Sequence, residues 1–312
     1  MSIAQLWVEK YRPKTIDDYV FTNPDTRAIV QHWVNEKSIP HILLHGSAGT
    51  GKTTLAKILI RATEVEDIDV LLVNGSKEGR KIDWLREKLD SFCATMPFGT
   101  FKIVLIDEAD YLNNTSVQPA LRNLMENYSD NVRFILTCNY PHRIIEPLRS
   151  RCQDLKIDNT DRTEFTARAA TVLMTESIDF DLETLDSYVI STYPDLRKCI
   201  NLLQANSTTG KLADVKGKEV LGTADFRLQA VELFKQGRLR EARQVLCNNA
   251  RPEEMESIFR WAYDNLNLWS NTAEGQDEAI LIIRRGLVNN VSCADTEINL
   301  SATITELISI GQ

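Results

Sequence analysis

The sequence predicts an α/β fold in which a parallel sheet flanked by helices is followed by regions that are entirely helical. From about residue 42 to residue 157, short β-rich apolar runs alternate with helical stretches, which is typical of strands joined by helices. After Asp158 the apolar runs stop and helical periodicity continues. The chain has 312 residues, more than one hydrophobic core usually serves, so we expect several domains.

Each element follows from a local pattern. Four apolar runs predict buried strands, at residues 42–44, 70–73, 102–106 and 132–137. Helical spacing of apolar residues predicts helices at 161–176, 182–192 and 194–205. The polar, breaker-rich run 206–210 ends this helical segment. Beyond Thr223, apolar residues recur every three or four positions, which predicts an all-helical C-terminal domain.

The composition is that of an ordinary folded protein. Hydrophobic residues make up 43% and charged residues 26%, which excludes a disordered chain. The sequence has neither an apolar run near the ~20 residues of a membrane span nor a signal peptide, so we expect a cytoplasmic protein without membrane contact. The six cysteines are far apart and predict no zinc site. A net charge of -8 argues against coating nucleic acid by bulk electrostatics.

A glycine-rich loop, GSAGTGKT at residues 46–53, lies between the first predicted strand and a helix. In such phosphate-binding loops the glycines let backbone N–H groups turn toward the phosphates, and the helix adds its positive end. We expect Lys52 to contact the β- and γ-phosphates and Thr53 to bind Mg²⁺. The other expected phosphate contacts are Gly49, Thr50, Gly51 and Thr54. The motif thus predicts ATP and Mg²⁺ as cofactors.

Two acidic residues follow the third predicted strand. Asp107 comes directly after four consecutive apolar residues and is expected to hold Mg²⁺, while Glu108 is expected to polarise the attacking water. A solvated carboxylate pair would not require that buried run before it. Asn139 ends another strand and is a candidate contact for the water or the γ-phosphate, although asparagine at a strand end commonly just turns the chain. Together these motifs predict ATP hydrolysis.

The chain resembles the AAA+ ATPase subunits of sliding-clamp loaders, and among them the large subunits of T4-like bacteriophages, relatives of the replication factor C small subunits. The resemblance covers nearly the whole chain and rests on WVEKYRP at 7–13, the phosphate loop, DEAD at 107–110, SRC at 150–152 and PDLRK at 194–198. It implies an AAA+ RecA-like ATPase domain at 1–157, a helical lid at 158–215 and a helical collar at 216–312.

The resemblance also implies partners and a function. Several copies would form a ring with a distinct small clamp-loader subunit, open the sliding clamp of a DNA polymerase and load it on primer-template DNA. In a phage-encoded protein this would take place in the host cell cytoplasm. The fold that the resemblance implies is α/β, with an AAA+ sheet domain, a helical lid and an all-α collar.

Further site residues are implied by the resemblance. Asn139 would sense the γ-phosphate, Arg197 would contact it from the lid, and Arg151 would act in the neighbouring subunit's site, where it stabilises charge on the transferred phosphoryl group. The implied base and ribose contacts are Val8, Glu9, Lys10, Tyr11 and Val20. Without the resemblance, Arg151 would be interpreted as a surface arginine, and residues 8–11 as an arm packed on the core.

Two polar residues and a basic group complete the predicted site. By the same resemblance, Asn74 matches a position that in related AAA+ proteins can hold the catalytic glutamate away until DNA arrives. Gln118 would couple subunit contacts to catalysis unless it is simply an exposed helix residue. Cations cluster where a helix is expected to begin, and they predict DNA phosphate contacts unless the loop is only solvated. They are Lys77, Arg80, Lys81 and Arg86.

Three other classes of protein share some of these motifs. A DEAD-box helicase needs a second RecA-like domain, but the sheet pattern ends near residue 158. A helicase loader or branch-migration motor would share the phosphate loop without both the 7–13 and 150–152 motifs. A ring-completing scaffold without ATPase activity usually loses one catalytic residue, whereas here all are present.

Overall fold

The structure is a computed structural model that describes residues 6–78, 85–157, 159–207, 209–214 and 226–310. The chain divides into two compact units. One unit is Arg12–Asp161, and the other combines Met1–Tyr11 with Arg162–Gln312. The division into three functional domains stays a prediction.

The first unit contains a five-stranded parallel sheet with the strand order β2-β3-β4-β1-β5. The strands are β1 Ile42–His45, β2 Val70–Asn74, β3 Lys102–Asp107, β4 Val132–Cys138 and β5 Gln153–Lys156. The four predicted strands are confirmed, whereas β5 was not predicted. The pairing register sets Asn74 beside Asp107 and His45 beside Cys138, so the functional strand ends meet at one edge of the sheet.

Helices cover both faces of this sheet. Successive residues of β3 alternate between two hydrophobic clusters: Leu105 packs in the cluster of helix Lys52–Ala62, and Ile106 packs in the cluster of helix Val117–Asn127. Strands buried on both faces are continuous apolar runs, which is why the sequence predicted them. The other helices that the structure describes in this unit are Pro24–Glu36, Gly75–Glu78, Ser91–Ala94, Glu146–Arg149 and the π-helical segment Leu85–Asp90, with short 3₁₀ turns at Asp67–Asp69, Ala109–Tyr111 and Pro141–Arg143.

The second unit is helical. Its helices, within the described residues, are Trp7–Lys10, Arg162–Thr175, Leu182–Thr192, Leu196–Ala205, Phe226–Lys235, Leu239–Asn249, Met255–Asp264, Ala273–Ser292 and Thr296–Ile310, with 3₁₀ turns at Pro252–Glu254 and Leu266–Leu268. The helices predicted at 161–176, 182–192 and 194–205 are confirmed to within two residues at each end. Apolar residues of the C-terminal helices form a buried core, among them Val231, Ile258 and Trp261. In the described part of the chain, no helix is long and apolar enough to cross a membrane.

Candidate active site

The glycine-rich loop connects β1 to helix Lys52–Ala62 through a backbone path that needs glycine. Gly49 and Gly51 have φ angles of 79° and 91°, in the region that side chains rarely adopt. A methyl group at Gly46 would lie 2.2 Å from the carbonyl oxygen of Ile157. The Thr50 hydroxyl donates to the carbonyl of Ser47 at 2.9 Å, which closes the turn. These contacts explain why the loop is rich in glycine.

Lys52 brings positive charge into this turn. It is buried, and its Nζ donates to the carbonyl oxygens of Gly46 at 2.9 Å and Ser47 at 2.7 Å. Gly51 precedes the helix, and among the described residues no side chain caps its first N–H groups. Such a helix start carries partial positive charge next to the lysine ammonium. The loop therefore suits a bound phosphate chain.

Asp107 and Thr53 meet at the carboxyl end of the sheet. Asp107 Oδ1 accepts hydrogen bonds from the Thr53 hydroxyl at 2.8 Å and from the hydroxyl of Thr137 on β4. Magnesium binds oxygen ligands at 2.0–2.1 Å in an octahedron, whose neighbouring ligands lie about 2.9 Å apart. The 2.8 Å between the Thr53 hydroxyl oxygen and Asp107 Oδ1 fits that spacing, so both oxygens could be ligands of the predicted Mg²⁺. Sequence reasoning missed Thr137, since its partner lies on another strand.

Glu108 has a backbone conformation that differs from that of the strand before it. Its φ of 57° and ψ of 46° are left-handed, which costs a non-glycine residue about 1–3 kcal/mol. Its N–H donates to the Thr137 hydroxyl at 3.1 Å, and a methyl group at Gly75 would lie only 2.5 Å from its carbonyl oxygen. Strain held in place by such neighbours concentrates at active sites. Glu108 thus has the backbone setting expected of a functional residue.

Two polar side chains organise the backbone around these acids. Asp110 is buried, and its Oδ2 accepts from the N–H groups of Asn139 and Tyr140, both at 3.2 Å, which fixes the end of β4. Asn74 Oδ1 accepts from Ser76 N–H at 3.0 Å and from the Ser76 hydroxyl at 2.6 Å, and so caps the helix that follows β2. The role of Asn74 in holding Glu108 stays a prediction.

The two cysteine thiols adjacent in sequence to Asn139 and Arg151 are unreactive. Burial raises the pKa of the Cys138 thiol, which lies beside Asn139, to about 12. Burial likewise raises the pKa of the Cys152 thiol, next to Arg151, to about 12. Both thiols are therefore protonated at neutral pH and are poor nucleophiles.

Gln118 is fully buried, which rules out the alternative that it is an exposed helix residue. Its Nε2 donates to the carbonyl oxygens of Leu112 at 3.1 Å and Arg143 at 3.0 Å. Its Oε1 accepts from the N–H of Ile145 at 2.8 Å. The amide thus ties the start of helix Val117–Asn127 to the segment that leads toward Arg151. Its coupling role stays a prediction.

Arg151 follows helix Glu146–Arg149 and contacts its own chain. Its guanidinium forms an ion pair with Glu126 and donates to the carbonyl of Pro147. About a third of the arginine side chain and 44% of the glutamate side chain are exposed, so water screens this pair. Action in a neighbouring subunit, which would require exchanging these contacts, stays a prediction.

Several predicted nucleotide contacts belong to the helical unit. Lys10 Nζ and the Tyr11 hydroxyl each donate to Glu176 at 2.7 Å, and these two hydrogen bonds lower the pKa of Glu176. Val8 is half-buried and Glu9 is exposed in the same short helix. Arg197 is exposed in the first turn of helix Leu196–Ala205. Val20 is half-buried in the sheet unit, next to the buried Tyr19.

The predicted DNA-binding cations fall partly outside the described residues. Lys77 is exposed on helix Gly75–Glu78. Arg80 and Lys81 lie outside the described residues. The backbone of Arg86 belongs to the segment Leu85–Asp90, but its side chain is outside the described part. This cationic group therefore stays a prediction.

The fold and the site define an AAA-type enzyme that hydrolyses ATP. The family described as "ATPase family associated with various cellular activities (AAA)" matches residues 42–159, which begin at β1 and end beyond β5. The chain is 38% identical over 247 residues to the replication factor C small subunit of Sulfurisphaera tokodaii, covering 77% of this chain and 75% of the relative. It is 34% identical over 320 residues to that of Staphylothermus marinus, covering 98% and 95%. The chain belongs to the replication factor C small subunit family.

Solved structures agree on the fold. The RuvB Holliday junction branch migration motor of Thermotoga maritima superposes with a TM-score of 0.56 and covers 76% of this chain and 85% of that one. The two sequences are 18% identical, so this similarity concerns the fold alone. The predicted α/β sheet domain followed by helices is confirmed.

Proposed function

We propose that this chain is the ATPase subunit of a sliding-clamp loader, which opens the processivity clamp of a DNA polymerase and loads it on primer-template DNA. The observation that carries the proposal is the match to a replication factor C small subunit over 98% of this chain and 95% of the relative. That match includes the C-terminal helices as well as the ATPase site. A protein that shared only the ATPase domain would not align beyond residue 159 or so.

The site residues take distinct roles in this proposal. Lys52 and the loop N–H groups bind the phosphates, and Thr53 with Asp107 holds Mg²⁺, which neutralises phosphate charge when bound. Glu108 orients the attacking water, and Asn139 contacts the γ-phosphate. Arg197 contacts the γ-phosphate from the lid. The base and ribose contacts are Val8, Glu9, Lys10, Tyr11 and Val20.

The proposal includes a specific assembly. Several copies of the chain form a ring with a distinct small subunit, as in the phage T4-like branch, and Arg151 completes hydrolysis in the neighbouring copy. The name "small subunit" that the relatives carry supports assembly from more than one kind of chain. Lys77, Arg80, Lys81 and Arg86 contact DNA phosphates, so a spiral of copies follows the duplex backbone without reading sequence.

The substitution Glu108→Gln tests the catalytic part. The amide keeps the shape of the side chain but loses the charge that orients water, so ATP affinity stays within about twofold while turnover falls by about 10²-fold or more. The measurement is steady-state ATP hydrolysis with primer-template DNA and clamp, beside equilibrium binding of ATP.

Glu64→Gln is the matched control for this test. It makes the same chemical change in the same compact unit, at an exposed glutamate that pairs with Lys37. That variant should turn over ATP at the wild-type rate. Turnover by Glu108→Gln within about threefold of wild type would show that another residue orients the water.

A further inference from the structure

We propose that Tyr19 is a positioning residue for the phosphate loop, which holds the peptide between Thr50 and Gly51 so that its N–H is directed at the bound phosphates. Tyr19 lies outside the phosphate-loop motif and well before it in the sequence. The proposal depends on ATP binding at this loop and is independent of clamp loading.

Two separate contacts join Tyr19 to the loop. Its hydroxyl donates to the carbonyl oxygen of Thr50 at 3.3 Å. Its ring packs against the next residue, since a methyl group at Gly51 would lie 3.1 Å from Tyr19 Cε2 and 3.2 Å from its hydroxyl oxygen. Tyr19 therefore contacts both residues that form one peptide unit.

Fixing this carbonyl also fixes an N–H. In a trans peptide the C=O and N–H groups point in opposite directions, so a Thr50 carbonyl turned toward Tyr19 directs the Gly51 N–H away from it. Gly51 directly precedes helix Lys52–Ala62, and N–H groups at this position of a phosphate loop bind phosphate oxygens. The tyrosine thus sets the direction of a phosphate-binding donor that it does not itself provide.

The loop needs such support because of its own composition. Gly49 and Gly51 both have positive φ angles, and glycine moves between backbone conformations at little cost. The Thr50 hydroxyl holds the Ser47 carbonyl, and a contact from outside the loop adds to it at the peptide after Thr50. Tyr19 supplies that contact.

Tyr19 is itself firmly held. Only 8% of it is exposed, and it packs in the cluster that includes Leu55 and Leu59 of the helix after the loop. Its ring meets that of Phe21 edge to face, with centroids 4.8 Å apart, and its N–H donates to Ile16 at 3.2 Å. Because the ring and the backbone of Tyr19 are both held, its hydroxyl has a fixed position beside the loop. A loop that is already ordered loses less entropy when it binds its ligand.

The test compares two tyrosine-to-phenylalanine variants of the full chain. Tyr19→Phe keeps the ring and removes the hydroxyl. Tyr128→Phe removes a hydroxyl that donates to Asp90 at 2.9 Å in the same compact unit. The measurements are the Kd of a fluorescent N-methylanthraniloyl ADP, the KM and kcat for ATP, and the thermal midpoint.

We expect Tyr19→Phe to raise Kd and KM together by about two- to tenfold, the range of one hydrogen bond, with kcat within about twofold. Tyr128→Phe should leave Kd and KM at the wild-type values. Tyr19→Leu, which also removes the ring from Gly51, should raise Kd and KM further. A purely structural tyrosine would instead lower the thermal midpoint and leave KM unchanged.

Three results would overturn the proposal. The first is wild-type Kd and KM in Tyr19→Phe. The second is a lower kcat at unchanged KM, which would place the effect in the chemical step. The third is an equal loss of affinity in Tyr128→Phe, which would mean that the loss of another tyrosine hydroxyl in this unit has the same effect. Clamp-loading activity enters none of these measurements, so a failure of the clamp-loader proposal would be seen separately.

Discussion

At the scale of single residues, Thr137 links the Asp107 carboxylate to the backbone N–H of Glu108, the residue that follows it. It donates to Asp107 and accepts from the Glu108 N–H, so one hydroxyl fixes both. The acids were predictable, because they follow a buried apolar run. Thr137 was not, because its contact depends on the pairing register of β3 and β4, which spacing along one strand does not contain.

A prediction at this scale concerns the ion pair between Arg151 and Glu126. An exposed pair of this kind contributes only ~0.2–1 kcal/mol, so Glu126→Gln should leave the thermal midpoint nearly unchanged. If Arg151 acts in a neighbouring site, losing this competing partner should raise the ATPase rate of the complex by up to about fivefold, the equivalent of ~1 kcal/mol. Steady-state hydrolysis with clamp and DNA measures the effect.

Glu64→Gln again serves as the control, since it breaks the exposed pair with Lys37. It should leave the rate unchanged. A fall in the rate of Glu126→Gln would contradict the idea that Glu126 competes for the arginine, and would mean that the pair holds Arg151 in its working position.

At the scale of elements, β5 shows where prediction from sequence ends. The other strands are runs of three or more apolar residues, whereas β5 buries only Leu155, and Gln153, Asp154 and Lys156 are exposed. An edge strand with one buried residue has no apolar run to detect. Its place is set by pairing with β1 and by the contacts of Asp154 with His45 and Arg149, which come from distant parts of the sequence.

Gln118 carries the prediction at this scale. Gln118→Leu replaces the amide side chain with an apolar one of similar size. It leaves the carbonyls of Leu112 and Arg143 and the N–H of Ile145 without their amide partner. Each buried unpaired group costs about 1–3 kcal/mol, so the free energy of unfolding should fall by about 2–5 kcal/mol after partial relaxation. Urea unfolding of the full chain, with the m-value compared to detect other changes, gives this number.

Gln31→Leu provides the comparison. Gln31 lies on helix Pro24–Glu36 and donates to Asn35 one turn later, in an exposed pair. Its loss should change the free energy of unfolding by less than about 0.5 kcal/mol. Equal destabilisation in the two variants would mean that the three hydrogen bonds of Gln118 contribute nothing beyond those of a surface glutamine.

At the scale of the whole molecule, the change from strands to helices along the chain was predictable, whereas the contacts of the N-terminal segment were not. The alternation of strands and helices, followed by helices alone, indicated where the sheet ends. Trp7 packs instead among the helices of the second unit, and its N–H donates to Gln204 at 2.9 Å. Trp7 and Gln204 are 197 positions apart, and a contact between such distant residues leaves no local pattern in the sequence. The residues next to Trp7 in the sequence therefore do not indicate which unit it packs in.

The last prediction concerns the sharing of a site between subunits. A chain with Lys52→Ala has no working phosphate loop but keeps Arg151, and a chain with Arg151→Ala has the opposite defect. Complexes made from either variant alone should be nearly inactive, because a finger arginine contributes about 10³ to 10⁵ in rate. In randomly mixed rings, an intact loop then meets an intact neighbouring arginine at about one interface in four at equal ratio. ATP hydrolysis should therefore rise from near zero to a maximum at equal mixing.

Replacing the Arg151→Ala chain with the double variant should abolish that maximum, since the double variant has neither a working phosphate loop nor the arginine. If mixing the single variants restores no activity at any ratio, Arg151 serves its own subunit or none.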